Sequence, residues 1–379
     1  MKDISRTAVL FLLIALAPMA CSSGGGDGDG DDGGPPYRSF AYVTNWGTSY
    51  VSAFSINETT GNLTKLGGSP FTVGSVPTSI AIDPAGTFAF VTNEDSSTIS
   101  VMTINPVTGA LSEAEGSPYA TEPYPISSAV HPSGKYLYTL SWGLGQLSAY
   151  RIEGPNAGLS QIPGSPYETG MSPQSLAIDP AGRFIYGVNI SSNDISAFSI
   201  DAATGALTKI PGSPFATGEW PSTIVIDPAG THLYAAVYTA NYVASYAIDQ
   251  TTGALAELPG SPAPGGSQPC AIAIDPAGKF VYVTNTTNDG NNRTVSGYTV
   301  DAVSGVLAEM AGSPFTASWG PDSIAIDRTG KFAYVANNGT GDITGFSIDQ
   351  TTGRLMPLGG SPFSVVQNPT FITTVRIRQ

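Results

Sequence analysis

Most of the chain after residue 40 consists of short runs in which apolar residues alternate with small polar residues or follow one another directly. The segment 195–200, Ile-Ser-Ala-Phe-Ser-Ile, alternates, whereas the segment 79–82, Ser-Ile-Ala-Ile, is almost continuously apolar. Gly, Pro, Asn and Asp separate the runs, as expected of tight turns. A period of two residues with such punctuation is typical of β-strands, so the pattern predicts an all-β protein.

The runs recur at a fixed period. Gly-Ser-Pro begins at Gly68, Gly116, Gly164, Gly212, Gly260, Gly312 and Gly360, which gives intervals of 48 residues and a single interval of 52. Asp-Pro-Ala-Gly or a variant keeps the same period and begins at Asp83, His131, Asp179, Asp227, Asp275 and Asp327. An insertion around residues 288–293 explains the longer interval. Such periodicity is the sequence signature of a repeat architecture.

Each repeat reads as four short antiparallel strands, which is the content of one propeller blade. The second, third and fourth strand types each occur seven times, starting with residues 41–45. The seventh copy of the first strand type is 371–375, near the C-terminus. We therefore predict a seven-bladed β-propeller whose ring is closed by N-terminal strands pairing with the C-terminal strand, which removes a free sheet edge.

The N-terminal residues are predicted to be a targeting segment. Residues 1–20 read as a signal peptide of the lipoprotein type, with a short apolar core at 8–16 that is too short for a stable membrane span. Cys21 follows a small residue, so we expect it to be lipidated; the alternative is an ordinary secreted protein. Residues 21–36 form a Gly/Asp-rich tether, and 37–379 form the propeller. The expected location is the cell envelope, with the lipid anchor as the only contact with the membrane.

Composition excludes several classes of function. The formal net charge of −14 opposes binding to nucleic acid. With only two histidines and Cys21 lipidated, neither a zinc site nor a disulfide is expected, and no cofactor is predicted. Cys270 lies in an apolar run and is expected to pack as a small buried hydrophobe. We expect a monomer.

The strand sequence Tyr-Val-Thr-Asn, as at 282–285, resembles the repeat of the lactonase-type β-propellers, over about 340 residues. The resemblance implies the propeller fold and, for the enzymes of that family, an Arg after a strand-opening proline and a Glu after the next strand of the same blade. No blade of this chain holds both residues. Glu94, as base, and His131, assisting it, are the catalytic candidates that match fragments of the family motif.

The connections that follow second strands and precede first strands are expected to share one face, where variable loops commonly bind ligands. Aromatic and acidic residues of these connections make that face Trp-rich and acidic. The candidate ligand-binding residues are Trp46, Trp142, Trp220, Trp319, Tyr124, Tyr238 and Asp322. The other acidic residues placed there are Glu94, Asp95, Asp194, Glu219, Asp289 and Asp342. The alternative is that these rings only cap the blades by packing on neighbouring loops.

Three functions remain open. The first is a binding module that holds a glycan, peptide or surface protein on the Trp-rich face. The second is a lactone hydrolase, similar to 6-phosphogluconolactonase, acting in the central pocket. The third is a structural protein of the envelope. The fold alone does not choose among them, since propellers host all three.

Overall fold

The computed structural model describes residues 37–286 and 293–379, which form strands and turns throughout. The predicted signal peptide, Cys21 and tether, together with Asp289, lie outside the described residues. In the described part of the chain, no helix is long and apolar enough to cross a bilayer.

Seven antiparallel sheets surround a central axis, and the predicted seven-bladed propeller is confirmed. We number the blades 1 to 7 by their second strands, which are Tyr37–Asn45, Phe88–Asn93, Tyr136–Ser141, Phe184–Asn189, His232–Val237, Phe280–Thr286 and Phe332–Asn337. In the same blade order, the first strands, which line the axis, are Pro369–Arg378, Pro77–Ile82, Pro125–Val130, Pro173–Ile178, Pro221–Ile226, Pro269–Ile274 and Pro321–Ile326.

The outer half of each blade contains a third strand and a shorter fourth strand. The third strands are Tyr50–Ile56, Thr98–Ile104, Gln146–Glu153, Asp194–Ile200, Tyr242–Ile248, Arg293–Val300 and Asp342–Ile348. The fourth strands are Leu63–Lys65, Leu111–Glu113, Gly158–Gln161, Leu207–Lys209, Leu255–Glu257, Leu307–Glu309 and Leu355–Pro357.

Each blade also has a two-residue fifth strand that the sequence reading missed. These strands are Phe71–Thr72, Tyr119–Ala120, Tyr167–Glu168, Phe215–Ala216, Ala263–Pro264, Phe315–Thr316 and Phe363–Ser364. They pair with the same third strand as the fourth strand does, on the far side of the Gly-Ser-Pro turn. In blade 1 the Ser69 hydroxyl of that turn accepts the Ala53 backbone N–H at 2.9 Å. The turn serine thus satisfies a strand donor where the outer strand is interrupted.

Blade 1 closes the ring by joining the two ends of the propeller. Its second strand, Tyr37–Asn45, pairs antiparallel with Pro369–Arg378, and Phe40 lies opposite Val375. The predicted closure is therefore confirmed, and the first strand of blade 1 comes from the end of the chain.

The core lies between adjacent blades, because the second strands are buried on both faces. Ile185 packs toward blade 3, whereas its neighbour Tyr186 packs toward blade 5. The Tyr186 hydroxyl donates to the Gly253 carbonyl of blade 5 at 2.8 Å. The same tyrosine-to-glycine bond to the next blade occurs at Tyr42, Tyr138, Tyr234, Tyr282 and Tyr334. These hydroxyls fasten blade to blade while remaining inside the apolar core.

Two faces result. The turn face carries the connections after first and third strands, and the mouth face carries those after second strands and before first strands. On the turn face, Asp83 caps its own turn by accepting the backbone N–H groups of Thr87 and Phe88 at 2.6 and 2.7 Å. Repetition on this face therefore has a structural cause.

Candidate functional site

The proline that opens each first strand places the next residue at the axis, near the mouth face. These seven residues are Thr370, Thr78, Ile126, Gln174, Ser222, Cys270 and Asp322, in blade order, and all are partly buried. The residue before each proline has a positive φ in every blade. At Trp220 the angle is +58°, a conformation that costs a bulky residue about 1 kcal/mol or more. Since all blades share it, this strain belongs to the fold and does not mark one catalytic blade.

A cavity of about 670 Å³ opens at the mouth face between the first strands. Its volume falls in the range of small-molecule sites. The cavity is lined by residues from all seven blades, among them serine and threonine residues together with isoleucine and leucine residues. Several of the hydroxyls are engaged by neighbouring blades: Thr78 donates to the Pro125 carbonyl at 2.9 Å, Ser222 donates to the Pro269 carbonyl at 3.0 Å, and Thr223 donates to the Cys270 carbonyl at 3.1 Å.

Four aromatic residues of the described chain line the cavity: Trp46, Trp220, Tyr238 and Phe371. Trp46 and Trp220 remain 49% and 56% exposed, so their rings are accessible to a ligand. Tyr238 lies beside Trp220, with ring centroids 6.4 Å apart and an angle of 33° between the planes. The Tyr238 hydroxyl donates to Gln268 at 3.0 Å, which fixes its ring. Accessible, positioned rings of this kind suit stacking against a sugar or another flat apolar face.

Two carboxyl groups also line the cavity, and both are partly buried. Burial raises the pKa of Asp322 to about 6, although the Asn338 amide, which donates to its Oδ2 at 2.8 Å, opposes the shift. Burial likewise raises the pKa of Glu94; the nearby Trp46 side chain opposes that shift and the Asp95 charge adds to it. Blade 1, with Trp46, separates the blades that supply Glu94 and Asp322. Neither Lys, Arg nor His lines the described part of the cavity.

Cys270 differs from the sequence expectation, because it lines the cavity and does not lie in the apolar core. Its Sγ lies 2.9 Å from the Pro321 carbonyl and 3.1 Å from the Thr284 hydroxyl. Burial and the nearby Asp322 charge raise the pKa of the thiol to about 12. Cys270 is therefore a neutral thiol at physiological pH and a poor nucleophile.

The structure divides the predicted ligand-binding residues into two groups. Trp46, Trp220, Tyr238 and Asp322 meet in the cavity. Trp142 lies instead in a separate groove near the edge of the mouth face, together with Leu144 and Met171. Trp319 is 45% exposed and packs against the backbone at Gly339, and Tyr124 is 49% exposed and packs against Gly143. These last three aromatic residues do not line the cavity.

The two catalytic candidates are not brought together. Glu94 lines the cavity, whereas His131 is 5% exposed within a turn of the opposite face. Its Nδ1 accepts the Ser133 backbone N–H at 3.0 Å, so its Nε2 carries the proton that is donated to the Gly182 carbonyl at 2.8 Å. His131 thus links two blades in the position where other blades have Asp.

The axial residues Ile126, Gln174 and Cys270 were missed by the sequence reading, as was the Asp322–Asn338 pair. Aligning the seven repeats on the strand-opening proline and reading the next position would have identified the axial residues. Asn338 follows Asn337 of the repeat, and nothing in the sequence pairs it with Asp322. In the described residues, no cluster of three or more His, Cys, Asp or Glu side chains could hold a metal ion.

Comparison with known proteins agrees with this architecture. The profile described as "Lactonase, 7-bladed beta-propeller" matches residues 36–128, 126–216 and 257–374. No curated protein matches the chain in sequence.

Three solved structures are similar to this propeller. A candidate 6-phosphogluconolactonase from Bacteroides uniformis has 17% identity and a TM-score of 0.77, covering 89% of this chain and 99% of its own. A candidate 6-phosphogluconolactonase from Bacteroides fragilis has 20% identity and a TM-score of 0.76, covering 89% and 98%. The periplasmic gluconolactonase of Pseudomonas aeruginosa has 18% identity and a TM-score of 0.75, covering 90% and 99%. At these identities the likeness concerns the fold.

Proposed function

Because the chain belongs to the lactonase family of seven-bladed β-propellers, we propose that its central cavity binds a small sugar or sugar-lactone ring. The observation that carries the proposal is the lining of the cavity: Trp46, Trp220 and Tyr238 offer stacking surfaces beside serine and threonine hydroxyls. An apolar ring face packs against aromatic groups, while polar groups around it fix orientation. The cavity volume suits a monosaccharide or a disaccharide.

Two tryptophans on the same face allow a matched test. Trp220 and Trp142 are 56% and 45% exposed, but only Trp220 lines the cavity. Titration calorimetry with monosaccharides and aldonolactones should show a loss of about ten-fold or more in affinity for Trp220→Ala, roughly the value of one stacking contact. Trp142→Ala should change affinity by less than about two-fold. Equal losses in both variants would contradict binding in the cavity.

A second candidate is hydrolysis of the bound lactone, and Asp322 is the observation that favours it. A carboxylate with a pKa of about 6 is ionised near neutral pH and basic enough to accept a proton from water. The resulting hydroxide adds to the lactone carbonyl, and the ring C–O bond breaks. The proton that Asp322 took from water passes to the leaving ring oxygen, which becomes an alcohol, so the product is a hydroxy acid. The printed name of the similar Pseudomonas aeruginosa protein, a gluconolactonase, supports this choice of reaction.

The activity is tested with gluconolactone at pH 7, against the spontaneous rate. We expect Asp322→Asn to lower the enzymatic rate by about 100-fold or more, the usual contribution of a general base. The rate should fall with pH below about 6 as Asp322 gains a proton. A wild-type rate equal to the uncatalysed rate would contradict the proposed hydrolysis without contradicting the proposed sugar binding.

We also propose that the protein is anchored outside the cytoplasm through Cys21. The support is the lipoprotein-type pattern of residues 1–21 and the tether that follows. Metabolic labelling with a radioactive fatty acid should mark the wild type and leave Cys21→Ala unlabelled. Labelling of both proteins would contradict the anchor.

A further inference from the structure

We propose that the ligand of the central cavity carries a protonated amine and is an amino sugar of about monosaccharide size. This inference rests on the proposed sugar-binding function and adds the charge of the ligand. It follows from three independent features of the described residues: the carboxyl groups in the cavity, the aromatic rings beside them, and the charge of the surrounding mouth face.

The two carboxyl groups leave acceptor capacity unused. Asp322 accepts one hydrogen bond at its Oδ2, from Asn338, and the Trp46 side chain lies near the Glu94 carboxyl. A carboxylate has about four lone-pair sites, and a partly buried carboxylate without a cation loses hydration that nothing replaces. An ammonium group compensates for the lost hydration through charge-assisted hydrogen bonds, whereas an uncharged hydroxyl compensates for it only in part.

The aromatic residues are placed to add to the same interaction. Trp46 and Tyr238 line the same cavity as Glu94 and Asp322. The carboxyl groups and the electron-rich rings thus share one cavity. Indole and phenol faces attract ammonium groups, most strongly where water is partly excluded. The rings also offer the stacking surface that a sugar needs, which favours an amino sugar over a simple alkylammonium ion.

The whole mouth face has the charge that such a ligand requires. Its described acidic residues are Glu94, Asp95, Glu122, Glu168, Asp194, Glu219, Asp322 and Asp342. Arg293 is the only Lys or Arg among the described residues of this face. An acidic rim around a cavity concentrates cations at its entrance and repels anions. A phosphorylated or carboxylated sugar would meet like charges both at the rim and inside.

The test compares sugars that differ mainly in charge. Titration calorimetry of the full chain near pH 7 should give glucosamine at least ten-fold higher affinity than glucose or N-acetylglucosamine. Glucose 6-phosphate should bind more weakly than glucose. The preference for glucosamine should shrink at pH 5, because Asp322 is then largely protonated, and at high salt, because the rim is screened.

Isosteric variants locate the charge that is recognised. Asp322→Asn and Glu94→Gln should each reduce the affinity for glucosamine about ten-fold more than the affinity for glucose. Asp95→Asn removes the same charge from an exposed position on the same face and outside the cavity, so it serves as the control. We expect its effect on glucosamine to stay below about two-fold, as for a screened surface charge. Thermal unfolding confirms that each variant is folded.

The outcomes separate the two proposals. If glucose and glucosamine bind equally and both depend on Trp220, the sugar-binding proposal holds and the proposal that the ligand carries an amine is wrong. If choline binds more tightly than glucosamine, the site recognises an ammonium group without a sugar, and the amino-sugar assignment is overturned. If no sugar binds, both the proposed function and this inference fail.

Discussion

The turn face and the mouth face of this propeller are built on the same seven blades, yet they use their side chains in opposite ways. On the turn face, Asp249 accepts backbone N–H groups of its own turn, and Tyr282 donates to the Gly353 carbonyl of the next blade. On the mouth face, Trp46 and Trp220 remain about half exposed. At the turn face these polar and aromatic groups stabilise the fold, whereas at the mouth face the two tryptophans remain accessible.

Charge separates the faces as well. The Lys and Arg residues at the turn face are Arg38, Lys135, Arg151, Arg183, Lys279, Arg328, Lys331, Arg354, Arg376 and Arg378, and they lie among a similar set of acidic residues. Some are paired, as Arg376 is with Glu58 at 3.1 Å. The mouth face has a strong acidic excess instead. The difference teaches that acidity here is concentrated around the cavity and is not a general property of the surface.

The largest expected effect on stability comes from a substitution on the turn face. A Cβ atom at Gly253 would lie 2.5 Å from the Phe184 ring and 2.6 Å from Ile210, and its φ is +74°. We expect Gly253→Val to lower the free energy of unfolding by roughly 3 to 5 kcal/mol, through strain and overpacking between blades. Urea denaturation measures it. Gly359→Val, at a position with open space, is the control and should cost less than about 1 kcal/mol.

On the mouth face, removing a functional charge should instead stabilise the protein. Burial raises the pKa of Asp322 to about 6, so the folded state holds this proton more tightly than the unfolded state does. The contribution of Asp322 to stability is therefore present at low pH and lost as pH rises through about 6. We expect Asp322→Asn to raise the free energy of unfolding by roughly 1 to 3 kcal/mol at pH 8 and to change little at pH 3. A loss of stability at pH 8 would contradict this account.

His131 tests whether the turn face takes part in function. His131→Ala removes the donor to the buried Gly182 carbonyl, so the free energy of unfolding should fall by about 1 to 3 kcal/mol. His131→Asp restores the turn residue of the other blades and should recover part of that loss. Sugar affinity and any lactone hydrolysis should remain within about two-fold of wild type in both. If folded His131→Asp lost hydrolysis selectively, His131 would have a catalytic role and this prediction would be wrong.

The smallest expected effect on stability comes from removing one tyrosine hydroxyl at each face. Tyr282→Phe removes the buried bond to Gly353, which measures 2.6 Å, and should cost about 1 kcal/mol. Tyr50 is 39% exposed at the mouth end of blade 1, so Tyr50→Phe should change stability by less than about 0.5 kcal/mol. Equal losses in the free energy of unfolding for the two variants would contradict the distinction between the faces. Both values come from urea denaturation under the same conditions.

Much of the fold follows from local signals in the sequence. The strand-opening prolines, the Asp-Pro-Ala-Gly turns and the Gly-Ser-Pro turns each act within a few residues, so their period predicts the blades and the closure by residues 371–375. The fifth strand was missed because it is two residues long and continues the edge of the fourth strand beyond a turn. The exposure of Cys270 to the cavity was missed because an apolar strand does not reveal which of its sides meets the axis.

The candidate site was predicted only in outline. The sequence places Trp46, Trp142, Trp220 and Trp319 in connections of the same kind, and on that basis all four were equal candidates. In the structure, only Trp46 and Trp220 reach the cavity. Distance from the axis decides this, and it depends on how each connection leaves its blade. Glu94 and His131 are separated for a different reason, because Glu94 follows a second strand on the mouth face and His131 follows a first strand on the turn face.

By itself, the sequence determined seven repeats, the strands within each repeat and the residue types available on each face, because these depend on short-range hydrophobic periodicity and turn chemistry. Tertiary structure alone decided that Glu94, Trp46 and Asp322, from blades 2, 1 and 7, line one cavity. These residues are far apart in the chain and meet only when Pro369–Arg378 closes the ring. Ring closure brings the mouth ends of all seven first strands to a common axis, and partial burial there raises the pKa values of the two carboxyl groups.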